Sequence, residues 1–216
     1  MKTRAWERGR TALLSFRPAA AMAAGVVLLV VLSACASSPP TQWYELRSTP
    51  PPRSAPVAAA ADSAVWEMSP RAALPGALDR DNLMVARGNS GLEPLPGQRW
   101  AEPLRDSVPR LLLADLQRLR GESRVWAAPA PPGVLPQRRL SLVIEQLQVL
   151  ADLRTLRLVA LASWQDLGAA PVAPPQPQRI ELDVTVDGPS ADAIAAAHRL
   201  ALWQLAERLT AGPRQP

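Results

Sequence analysis

Ile180, Leu182, Val184 and Val186 alternate with Arg179, Glu181, Asp183 and Thr185, the period-two pattern of a half-buried strand. Leu156, Leu158, Ala160, Ala162 and Trp164 keep the same period. Before them Leu140, Leu142 and Ile144 hold one phase, and Leu147 and Val149 hold the other. One extra residue near Glu145 and Gln146, a β-bulge, would return the apolar side to the core. Helical spacing appears twice. Leu104, Val108, Leu111, Leu112, Leu116 and Leu119 mark a helix opened by Pro103 and stopped by Gly121. Ile194, Ala197, Ala201, Leu205 and Leu209 mark a second, with Ser190 as N-cap, Asp192 in its first turn and Gly212 at its end. Pro109 removes a backbone bond from the first helix and predicts a kink.

Shorter apolar segments complete the pattern. Residues 42–46, 64–68, 83–87 and 124–126 read as strands, and 74–80 reads as turn material. The Pro-bearing stretches 47–63, 91–97, 129–136 and 166–178 read as loops. Strands, a helix, more strands and a closing helix predict an α+β fold. Its sheet is antiparallel or mixed, with two helices packed on one face. Residues 42–216 are expected to form a single domain.

The N-terminus follows a different rule. Lys2, Arg4, Arg8, Arg10 and Arg17 precede an apolar run from Ala19 to Leu32, and Leu32-Ser33-Ala34-Cys35 closes it. A basic head, a short apolar run and small residues before a cut make a secretory signal. The run falls short of the roughly 20 apolar residues a spanning helix needs. Residues 1–34 are therefore expected to be removed, and 36–41 to act as a tether.

Composition changes the picture once the leader is set aside. The chain has 24 Lys+Arg against 19 Asp+Glu, a net charge of +5. The leader holds five of those bases and one acid, which leaves 19 against 18 in 182 residues. A net charge of +1 without a basic stripe argues against a nucleic-acid partner. Cys35 is the one cysteine, so it has no intramolecular disulfide partner in an oxidising compartment.

Catalytic readings find little support. His198 is the only histidine, and no Gly-x-Ser-x-Gly elbow or phosphate-binding glycine loop is present. One histidine and one cysteine cannot assemble a zinc site of the usual kind, so no metal is expected. His198 reads as structural or merely exposed, and Asp79-Arg80-Asp81 as a turn salt bridge. No enzymatic activity and no cofactor are expected.

Leu32-Ser33-Ala34-Cys35 resembles the bacterial lipoprotein box. The resemblance implies that the processing peptidase reads Leu32, Ser33 and Ala34, and that Cys35 receives covalent lipid. An ordinary signal peptide with a chance cysteine is the alternative. Ala36 and Ser37 replace the Asp that retains many such proteins at the inner membrane, which implies the periplasmic face of the outer membrane. Leu74-Pro75-Gly76-Ala77-Leu78-Asp79-Arg80, Met84-Val85-Ala86-Arg87 and Arg99-Trp100-Ala101-Glu102-Pro103-Leu104 follow in order, after an opening Trp43-Tyr44-Glu45-Leu46. Together they resemble the ABC-type transport auxiliary lipoproteins of the PqiC-like kind. The likeness runs from Trp43 to Leu119 and is architectural beyond.

That resemblance implies a non-catalytic adaptor in an MCE-type lipid transport system. Its partner would be a PqiB-like MCE-domain protein, and the adaptor would be set on the membrane by its lipid; the resemblance also allows a homo-oligomeric ring. Arg80, Arg87, Arg99, Trp100 and Glu102 are the candidate partner surface, because Trp and Arg dominate interface hot spots. Their other role is structural, with Trp100 packed at the helix start and Arg80 or Arg99 paired with Glu102. A free-standing envelope lipoprotein that binds an apolar ligand or supports an outer-membrane assembly is the competing reading.

Overall fold

The computed structural model describes residues 40–52, 63–69, 73–168 and 177–211. Leu32, Ser33, Ala34, Cys35 and Gly212, and most of the expected loops 47–63 and 166–178, lie outside the described residues. In chain order the elements are β1 (Gln42–Tyr44), β2 (Trp66–Met68), β3 (Asn82–Arg87) and β4 (Gly91–Trp100). Helix α1 (Leu104–Arg120) and β5 (Val125–Ala127) follow. Then come β6 (Arg138–Val149), β7 (Thr155–Asp166), β8 (Gln178–Thr185) and α2 (Ala191–Thr210).

The three C-terminal strands form the frame, because each buries a regular apolar face along its length. β6 pairs antiparallel with β7 along its length, from Arg138 opposite Asp166 to Val149 opposite Leu156. β7 pairs antiparallel with β8. The register slips by one residue between Ile144 and Gln146, the bulge that the change of apolar phase required. As a result Leu140, Ile144, Leu147 and Val149 all face inward and are fully buried.

The other edge of β6 carries two wings. At its start β2 pairs parallel with it and leads on to β5. At its end Val149 pairs with Val85 of β3, which leads antiparallel to β4 and from there, parallel, to β1. The result is a mixed, open sheet of eight strands with two helices, an α+β fold.

Both helices close over the apolar face. Leu111, Leu112 and Leu116 of α1 and Leu202 and Leu205 of α2 are fully buried in the same core as the sheet. Each such leucine contributes about 1.5–3 kcal/mol relative to exposure. Ser190 caps α2, its Oγ accepting the Ala193 N–H at 3.1 Å. Helix α1 ends at Gly121, whose φ of 106° suits glycine and whose N–H donates to the Gln117 carbonyl at 2.8 Å. The helix assignment runs through buried Pro109, which has no N–H to offer the Arg105 carbonyl.

One expected loop is a strand. Residues 91–97 belong to β4 despite Pro94 and Pro96. β1 pairs only with residues 98–100, so among the described residues no strand pairs with the outer edge of β4 around the prolines. A missing N–H leaves no ladder bond unmade on that side.

Candidate functional site

The turn before β3 presents the motif residues. Asp79 accepts a hydrogen bond from Arg105 at 2.9 Å, so the turn is tied to the first turn of α1. The local Asp79-Arg80-Asp81 bridge expected from sequence gives way to this longer-range pair. With Asp79 engaged elsewhere, Arg80 is exposed and makes no ion pair or hydrogen bond among the described residues.

Glu102 bonds Arg110, two turns into α1, rather than Arg80 or Arg99. Arg87 bonds Glu93 across the β3–β4 hairpin, which holds its guanidinium further above its usual range. Arg99 points outward from β4 and is also without an ion pair or hydrogen bond. Trp100, its neighbour, points to the opposite face and is 4% exposed. There it meets His198 edge-to-face, with ring centroids 5.2 Å apart. A side chain so placed packs against α2 and cannot reach a partner without leaving the core. The five candidates are therefore not one patch: Arg80 and Arg99 are available, Arg87 and Glu102 are already bonded, and Trp100 is internal.

The residue that sequence reasoning left out of the surface is Trp43. It is 60% exposed and stands directly opposite Arg99, which in turn stands opposite Asn82. Partners in register share a face, so Trp43, Arg99 and Asn82 form one outward row. Tyr44 turns the other way and packs against the core. A three-residue strand is too short to show that alternation by pattern, and its cue was buried Leu46, which sets Tyr44 inward and Trp43 outward.

An open cleft of roughly 440 Å³ lies between the segment after β1 and the N-terminal half of α2, lined by Glu45, Arg47, Pro51, Asp192, Ala196 and Leu200 among others. At its base Arg199 donates two hydrogen bonds to Asp115, both at 2.7 Å, and a third to the Arg47 carbonyl at 2.7 Å. This buried pair ties both helices to the cleft wall. Burial pushes the Asp115 carboxyl above its usual range, against the pull of Arg199 and Arg118.

The one histidine lies inside the core. His198 is 3% exposed and its Nδ1 lies 2.8 Å from the Ile194 carbonyl, so the neutral ring spends its N–H inside its own helix. Burial lowers its pKa to about 4. Among the described residues no group of three His, Cys, Asp or Glu side chains could hold a metal ion. None of their helices is long and apolar enough to cross a membrane.

The fold and these surfaces define an α+β domain with exposed arginines and tryptophan on its wing and a buried histidine. Residues 44–210 match the family described as ABC-type transport auxiliary lipoprotein component, and the chain belongs to that family. The match runs through α2, well past the Leu119 limit of the motif likeness. No curated protein matches the chain. Two crystal structures share the fold. One is of an uncharacterized protein, 14% identical, with a TM-score of 0.60, covering 80% of this chain and 97% of its own. The other is protein XCC0632 from Xanthomonas campestris, of the family DUF330, 15% identical. Its TM-score is 0.61, and it covers 79% of this chain and 93% of its own.

Proposed function

We propose that this auxiliary transport lipoprotein is a non-catalytic adaptor for a periplasm-spanning MCE-domain protein. It is held at the periplasmic face of the outer membrane by lipid on Cys35. Family membership supports the transport role, and the Leu-Ser-Ala-Cys ending supports the anchor. The observation that carries the adaptor reading is Arg80, an exposed guanidinium in the motif that makes no ion pair or hydrogen bond among the described residues. Its turn is tied to α1 by the Asp79–Arg105 bond. A tied turn presenting such an arginine suits recognition, because less is lost in ordering it on contact.

Copurification tests the reading. The full lipoprotein, extracted in nonionic detergent, is expected to capture the MCE-domain protein encoded beside it. Failure of the wild-type protein to capture any MCE protein would overturn the adaptor role and favour the free-standing lipoprotein. The anchor is tested by Cys35→Ser, which is expected to abolish acylation and membrane retention. Palmitate labelling that persists in that variant would end the lipoprotein reading.

A further inference from the structure

A large exposed aromatic beside a cation that makes no bond among the described residues asks for a partner that accepts both. Trp43 and Arg99 form such a pair, in register on β1 and β4 and on the sheet face opposite to the core. The nearest chemistry in sequence is Cys35, eight residues before Trp43. Eight extended residues reach at most about 28 Å. If Cys35 carries lipid, as proposed above, Trp43 can never be further than that from the bilayer surface.

We infer that the Trp43–Arg99 row seats the domain on the lipid headgroups beside its own anchor. Tryptophan settles at membrane–water interfaces because its ring is apolar and its indole N–H is polar. An arginine next to it binds anionic headgroup phosphate through paired N–H donors. One such pair binds weakly from free solution. A tether this short raises the effective concentration enough for a weak contact to fix orientation. The seat uses the wing that ends in β1, so Arg80 in the turn before β3 stays free for a protein partner. The inference rests on the lipid at Cys35 and is separate from the adaptor reading.

The test reconstitutes the full acylated lipoprotein into vesicles of phosphatidylcholine, with or without phosphatidylglycerol, some carrying brominated acyl chains. Brominated lipid is expected to quench part of the wild-type tryptophan emission, and Trp43→Leu should remove that quenched part. Arg99→Gln should reduce it by half or more in vesicles with phosphatidylglycerol and little in phosphatidylcholine alone. Equal quenching in wild type and Trp43→Leu would overturn the inference. So would unchanged quenching combined with lost capture of the MCE protein, which would assign the row to a protein contact. Intact mass separates the two premises. An acylated protein with unquenched Trp43 refutes the seat alone, and an unacylated one refutes anchor and seat together. Loss of MCE capture by the wild type would leave the quenching result standing.

Discussion

Arginines at the two ends of the sheet are used differently. On the solvent face of β7 and β8, Arg157 faces Asp183 in register and makes two bonds to it, at 2.8 and 2.7 Å. Arg179 reaches both Glu145 and Glu181, and Arg138 reaches Asp166 at 3.0 Å. In the wing built from β1, β3 and β4, Arg87 bonds Glu93, but Arg80 and Arg99 are exposed and bond to nothing described. The contrast separates charges that complete a sheet surface from charges kept available. The frame explains how the chain folds, and the wing holds what the fold presents.

The largest effect is expected from neither group but from the buried pair beneath both. Arg199→Ala leaves the Asp115 carboxylate buried without its bidentate partner, and should cost about 3–5 kcal/mol in denaturant unfolding. A cost below about 1 kcal/mol would mean that water reaches Asp115.

The next is a pH effect on α2. His198 is held neutral by burial, with a pKa of about 4 against about 6.5 when unfolded. The unfolded chain therefore binds the proton first, and stability falls as pH drops from about 6.5 towards 4. The full loss is about 3 kcal/mol. Asp115, raised by burial, works in the opposite sense at the acid end, so the clean window lies above the carboxylate range. Urea midpoints of wild type and His198→Gln across that window should diverge in slope, and parallel slopes would show that His198 is solvated.

A smaller loss, about 1 kcal/mol, is expected for Ser190→Ala, which removes the side-chain acceptor of the Ala193 N–H. Thermal unfolding would read it, and an unchanged midpoint would mean that water caps α2 as well as serine does.

The two ends of the molecule were also unequally legible. The frame was written in period two, and even its bulge followed from the change of apolar phase at Glu145 and Gln146. The second helix announced its cap at Ser190. In the wing, elements are short and pairing is distant. β4 was hidden because Pro94 and Pro96 read as loop residues, although an edge without a neighbour tolerates them. Glu102 was expected to pair nearby with Arg80 or Arg99, but helix α1 carries Arg110 back over it. The Asp79–Arg105 bond joins residues 26 positions apart, and no local pattern encodes it. Trp43 was noticed as part of a motif, yet its outward direction needed the strand register. Motif residues thus showed which family the chain belongs to more clearly than which of them face solvent.

The central claim is that Arg80 in the wing is kept for contact rather than for bracing. Its direct test is a paired measurement on Arg80→Ala in the full protein: thermal unfolding, and affinity for the MCE-domain protein proposed as its partner. Truncating an interface arginine of this kind typically weakens binding about thirtyfold. Arg80→Ala is expected to show that loss with an unchanged midpoint, matching the unchanged midpoint expected for Arg157→Ala, whose capture should stay intact. A lowered midpoint with full capture would make Arg80 a brace and contradict the account.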